Sequence, residues 1–311
     1  MPRQSQVKGR FPMQRDLVGY GLTPPHMIWP NGARVAVSLA VNLEEGAELS
    51  IEAGDGQSER VGEVLSVVPP GVRDMGMEQV FSYGTRAGLR RFLDALDRHA
   101  MPATFWMCGR AVARAPALAR AIVEAGHEPG CHGWRWRPHA DYADEAEERI
   151  DLLRCIAATE EATGQRPLGF FCRGSQSEAT RRLLVELGFL YDSNAFDDDL
   201  PYWDEAVPGG PMLIVPYALD SNDMKFFHPN GFVRASEFEE YVADALAQLL
   251  EEAEREKAAL LNIGFHLRIT GRPARFRAVE AILGQLASLG SRVWVARRID
   301  IARAWAAAHP R

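Results

Sequence analysis

Four short strings carry residue types that could hydrolyse a bond: Glu44-Glu45-Gly46, Cys131-His132-Gly133, Cys172-Arg173-Gly174 and Phe265-His266-Leu267. A carboxylate beside an arginine stays ionised and can take a proton from water. A histidine can bind a metal, donate to a developing oxyanion or protonate a leaving group. The spacing around His132 is specific in one respect. A second histidine four residues on would complete a metal-ligand pair, but that place holds Trp136, whose indole offers one N–H donor and no ligand. Each residue also has a plain structural reading. A lone histidine is more often hydrogen-bonded core, Trp134 and Trp136 are more often pocket wall, and acidic loops such as 197–199 and 220–223 suit turns and caps. A Cys131 nucleophile beside His132 is the weaker reading, because neighbours on a strand do not face one another.

These strings recur at the ends of apolar, β-rich segments. Residues 34–41, 103–107, a short run ending at Cys131, 169–172, 189–191, 212–216, 259–265 and 292–295 read as strands. Helical patterns fall between them at 84–100, 110–126, 141–163, 177–187, 236–256, 275–289 and 299–308. Strands alternating with helices predict an α/β fold, a deformed (β/α) barrel of about seven parallel strands. In such a barrel the carboxyl ends of the strands converge, so the four strings meet at one mouth. Residues 42–82 read as a long loop, and residues 1–33 as a basic, Pro-rich N-terminal arm before a single barrel domain over 34–311.

Bulk properties narrow the function classes. The chain has 311 residues, 47% of them hydrophobic, enough for one large core. A net charge of −7 argues against nucleic acid and anionic membranes as partners. No apolar run is long enough to span a bilayer, and the N-terminus has no apolar signal core. The four cysteines form no C-x-x-C pair, so reduced thiols and a cytoplasmic location are expected. No G-x-G-x-x-G follows the first strand, so a dinucleotide site has no support.

The strings 41–46, 81–86, 131–136, 191–194, 198–202, 222–224 and 294–300, in this order, resemble the polysaccharide deacetylase (NodB-like) superfamily. Within it the chain looks most like the cofactor-free allantoinase branch and its uncharacterised relatives. The resemblance implies a hydrolase of non-peptide carbon–nitrogen bonds, with a small cyclic amide or ureide as favoured substrate. It places Glu44 at the base position and Glu45 at the metal position, although either glutamate could be the base. Arg173 falls at the position that holds the base, and His266 at that of the general acid. His132, Trp134, Trp136 and Asp223 are expected to bind substrate. No cofactor is favoured. Zinc on Glu45 and His132 is the alternative, and with Trp136 in the second histidine's place it would lack a third protein ligand, His139 and Asp223 having no spacing to supply one. The rival functions are a zinc N-deacetylase of N-acetylated sugars and an inactive ligand-binding barrel. The departure from the allantoinase pattern over 169–177 leaves the ureide itself open. The expected partners are a small-molecule substrate and further copies of the chain.

Overall fold

The computed structural model describes residues 15–63, 65–255 and 258–311. The strands are β1 (Val35–Leu43), β2 (Thr104–Met107), β3 (Glu128–Cys131), β4 (Gly169–Phe170), β5 (Tyr191–Asp192), β6 (Tyr202–Asp204), β7 (Met212–Ile214), β8 (Ala259–His266) and β9 (Val293–Ala296). The helices are α1 (Met75–Tyr83), α2 (Leu89–Arg98), α3 (Gly109–Arg114), α4 (Pro116–Glu124), α5 (Glu145–Thr163), α6 (Thr180–Glu186), α7 (Ala235–Glu254), α8 (Pro273–Leu289) and α9 (Arg298–Ala308). The strands form one curled sheet in the order β6-β7-β5-β4-β3-β2-β1-β8. All pairings are parallel except β6 with β7. The sheet is therefore a deformed barrel, and the short antiparallel β6 is a strand that the sequence reading does not contain.

β1 is the staff of the barrel. Its first half pairs with β9, its second half with β2, and β8 runs along its whole length. Every residue of β1 and β8 is buried, and the period of two sorts their side chains. Val35, Val37, Leu39 and Val41 pack outward with Leu261, Ile263 and Phe265 against helices. Ala36 and Ala40 face inward with Trp106, Tyr191 and Tyr217. Small residues near the axis leave room for the large ones. A Cβ on Gly130 would lie 2.4 Å from the Trp106 ring, so the indole fills the space that this glycine vacates.

The segment over 42–82 is not one loop. Asp74 accepts from the Met77 amide as an N-cap, and α1 follows. α1 joins α2 through a wide turn over 84–88, where Gly84 and Gly88 face the turn after β8. The helix expected over 110–126 is two helices, because Pro116 starts a new one after Ala115 leaves helical geometry. Within the expected N-terminal arm, Met27, Trp29 and Ala33 are buried. Trp29 donates from Nε1 to the Ala259 carbonyl at 2.8 Å and packs on Trp305. Residues 27–33 thus close the foot of the barrel, while residues 1–14 of the arm lie outside the described residues.

Above that foot, the buried Arg298 ties the interior together. It donates to Asn262 Oδ1 at 2.6 Å, to Ser193 Oγ at 3.1 Å and to the Val215 and Pro216 carbonyls. Glu128 accepts from Thr104, Tyr191 and the Ile299 amide at the start of α9. Polar groups so far from water must be paired in this way.

The tight fit at the axis is testable. Gly130→Ala places a methyl inside the Trp106 ring, and urea unfolding is expected to give a loss of about 1–3 kcal/mol. An unchanged midpoint would show that the indole has room to move.

Candidate functional site

β1 delivers Glu44 inward by the same parity that places Ala36, Ser38, Ala40 and Asn42 there. On β8 that parity delivers His266, whose Cα partner in the ladder is Asn42. The chain beyond β3 delivers His132, anchored by its amide to the Met107 carbonyl. The three side chains meet. Glu44 Oε1 lies 3.2 Å from His132 Nε2 and 3.3 Å from His266 Nε2. The other carboxylate oxygen, Oε2, accepts from Arg268 Nη1 at 2.5 Å. Glu44 and Arg268 are fully buried, and His132 and His266 are nearly so.

Second partners fix both imidazoles. His132 Nδ1 faces the Phe171 carbonyl at 2.5 Å, so that nitrogen carries the hydrogen and Nε2 is turned to Glu44. The ring stacks on Phe171 with centroids 5.3 Å apart. His266 Nδ1 contacts Asp223 Oδ1 at 2.6 Å, and Asp223 Oδ2 accepts from the His266 amide and the Thr270 hydroxyl, each at 2.7 Å. Asp223 therefore stands behind His266 and grips the turn after β8. That corrects its expected place among substrate contacts.

Charge follows from these contacts. Burial alone would raise the Glu44 carboxyl, but Arg268 and then His266 outweigh it and hold Glu44 well below the usual carboxylate range. Burial would also discharge His266, yet Glu44 and Asp223 raise it to about 9. Glu45 goes the other way. Burial pushes it up to about 8; Arg268 opposes that rise, and the Glu44 charge adds to it. The neighbouring glutamates are thus an ionised carboxylate and a neutral carboxyl near pH 7. Glu45 Oε2 accepts from the Glu44 amide at 3.1 Å and Oε1 has no partner. A Cβ on Gly84 would overlap Glu45 Oε1 at 1.9 Å, so only glycine admits this carboxyl beneath the helix.

Arg268, not Arg173, takes the place beside the base that the resemblance implies for Arg173. Arg173 makes its ion pair with Glu59 at 2.6 Å, not with Glu44 or Glu45. The cause is local: β4 ends at Phe170 and the chain turns at Gly174 with φ of 63°, which carries Arg173 toward the loop. The guanidinium on Glu44 is Arg268, two residues past His266 in the turn after β8. Arg173 remains near the site through Trp136. Its guanidinium lies 3.7 Å from that ring centroid, and Arg268 lies 4.7 Å from it. Trp136 is accordingly a buried wall beside the cluster. Trp134 is not: its amide donates to Asp151 and its ring stacks with Arg154, away from Glu44. His139 is held by Glu148 at 2.9 Å in a separate buried network. Cys131 and Cys172 pack outward in the core.

The donors do not suit a divalent ion. Trp136 supplies no ligand, one oxygen of Glu44 is committed to a guanidinium, and that fixed positive charge repels a second cation. Among the described residues no group of three His, Cys, Asp or Glu side chains has a metal-binding arrangement. A cleft of about 490 Å³ opens between Arg173, Arg137, Asp55, Gln57 and Asp141; of the residues near the site it is lined by Arg173, and none of the four cluster side chains lines it. Glu59 and Arg268 had not been singled out from the sequence. Arg268 stands in the turn after β8, beyond the strand's alternation, and nothing in the acidic 42–82 segment marks Glu59.

Comparison with known proteins gives a consistent family. The polysaccharide deacetylase family model matches residues 75–191. A Schizosaccharomyces pombe protein with a provisional polysaccharide deacetylase name is 36% identical over 95% of this chain and 98% of its own. A crystal structure from Pseudomonas aeruginosa PAO1, also provisionally named a polysaccharide deacetylase, has 45% identity and a TM-score of 0.90, covering 96% and 99% of the two chains. The crystal structure of PuuE allantoinase has 44% identity and a TM-score of 0.91, covering 97% and 100%. No helix among the described residues is long and apolar enough to cross a membrane. The chain belongs to the polysaccharide deacetylase family and is a hydrolase of carbon–nitrogen bonds other than peptide bonds.

Proposed function

We propose that the protein opens a small cyclic amide or ureide by hydrolysis, without a metal ion. One observation carries this reading: an ionised Glu44 touches two imidazole Nε2 atoms and a guanidinium, where a metal centre would need a further ligand. The likeness to PuuE allantoinase across the whole chain supports the substrate class.

In the proposed reaction Glu44 Oε1 is the acceptor for one water, with His132 Nε2 as its neighbouring polar group. Glu44 takes a proton as the water oxygen attacks the substrate carbonyl carbon. Negative charge grows on the carbonyl oxygen, and the His266 and Arg268 cations offset it. His266 Nε2 then gives its proton to the ring nitrogen as the carbon–nitrogen bond breaks. Glu44 returns the water proton to His266 across 3.3 Å, which restores the starting charges. Trp136 and Phe171 are the apolar walls, and Arg173 at the edge of the cleft meets polar groups of the substrate.

The test is a substrate panel of cyclic ureides, hydantoins and N-acetylated sugars, assayed after chelator treatment and dialysis. Ring opening of a ureide that survives the chelator is expected. Turnover of acetylated sugars alone, abolished by the chelator, would replace this reading with a zinc deacetylase. Glu44→Gln and His266→Ala are each expected to lower kcat by about 10²–10⁴-fold. Unchanged turnover in both would leave only a binding role.

The pH profile has a definite sign. His266 acts as its protonated form, so kcat/KM should fall as pH rises through about 9. Asp223→Asn removes one of the charges that raise His266, and the alkaline limb should move to lower pH. A limb that stays in place would show that another group titrates there. We also propose that copies of the chain associate, because Leu17, Val18, Leu22, Leu65 and Val67 are exposed apolar residues. Light scattering should then give a mass above one chain, and a monomer would remove the proposal.

A further inference from the structure

The contacts of Arg268 go beyond an ion pair. Its charged end lies 4.2 Å from the Phe81 ring centroid and 4.7 Å from that of Trp136, with Nη1 on Glu44. Nε and Nη2 are buried without a partner. A fully buried guanidinium with two donor nitrogens unpaired is costly, and removing its carboxylate or its rings would make it more so.

The backbone holds it in place. Arg268 sits in a turn closed by the Ile269 amide on the His266 carbonyl at 2.9 Å and by Thr270 on Asp223. The wide turn of the α1–α2 unit presses on this segment. A Cβ at Gly88 would meet the Leu267 carbonyl at 2.2 Å, and one at Gly84 would meet the Arg268 amide at 3.0 Å. The guanidinium is thus fixed from both ends and cannot swing away without opening the helix from the strand.

We propose that Arg268, clamped between Phe81, Trp136 and Glu44, is the built-in cation of the site and keeps divalent ions out of it. The inference rests on the metal-free reading above and adds its cause. Trp136 alone removes a ligand, while Arg268 supplies the positive charge that an ion would have brought and takes one of the carboxylate oxygens that an ion would need. Two consequences separate the roles. Restoring a ligand at position 136 should not restore metal binding while Arg268 is present. Restoring the ligand and removing the guanidinium together should.

The experiment measures zinc per chain after dialysis of the full protein, with cobalt(II) absorption as a second readout. The wild type and Trp136→His are expected to retain almost no metal, and Trp136→His/Arg268→Met about one ion per chain. Circular dichroism checks that each variant is folded, and Arg268→Gln replaces Arg268→Met if that variant fails to fold. Stoichiometric zinc in Trp136→His with Arg268 present would overturn the proposal, as would a folded double variant that binds none. Loss of wild-type activity on chelation would instead overturn the metal-free reading, so the two failures are distinct.

Discussion

A single buried negative charge organises this protein. Glu44 sits at the carboxyl end of the central strand, out of contact with water, and is kept ionised by one guanidinium and two imidazoles drawn from two other parts of the chain. A carboxylate in such a place is tolerable only if its partners are held rigidly. Much of the surrounding structure does that holding. Asp223 and Thr270 fix His266, the Phe171 carbonyl fixes His132, and the α1–α2 turn fixes Arg268. The same charge sets the states of its neighbours. It keeps His266 protonated and helps to keep Glu45 neutral. Acid, base and neutral carboxyl then coexist in one small volume because of where each stands relative to Arg268 and Asp223.

Close packing makes this geometry possible. Glycine at 84 admits the Glu45 carboxyl, glycine at 88 admits the turn after β8, and glycine at 130 admits Trp106 below. The site is sealed by aromatic rings instead of water, and Trp136 serves two arginines at once. In a low-dielectric surrounding each of these charge contacts counts for more than it would at the surface. That reasoning separates Arg268, fully buried against Glu44, from the part-exposed Arg173–Glu59 pair at the rim, where solvent weakens the interaction.

Long, regular segments were readable from the sequence. β1 and β8 announced themselves as apolar runs, and α5, α7 and α8 lie within a few residues of their amphipathic patterns. The convergence of Glu44, His132 and His266 followed from strand ends meeting at one mouth. What escaped depended on contacts distant in sequence or on short elements. α1 was hidden in a polar segment because its main signal is one capping aspartate. β6 has three residues, too few for a period. Arg173 was misassigned because β4 is only two residues long and its parity does not extend to the loop. Arg268 escaped because it lies in the turn after β8, where the alternation of the strand no longer sets direction. The choice between Glu44 and Glu45 was open to an argument from the alternation of β1, since Val41 and Leu43 face the helices and Glu44 does not.

The central claim is that Glu44 stays ionised in its buried cluster and holds His266 as an imidazolium. ¹⁵N-histidine NMR of the full chain tests it most directly, with the His266 signals assigned through a His266→Gln variant. The account predicts a ring protonated on both nitrogens at pH 7 that loses its proton only near pH 9. A His266 ring already neutral at pH 7 would contradict it.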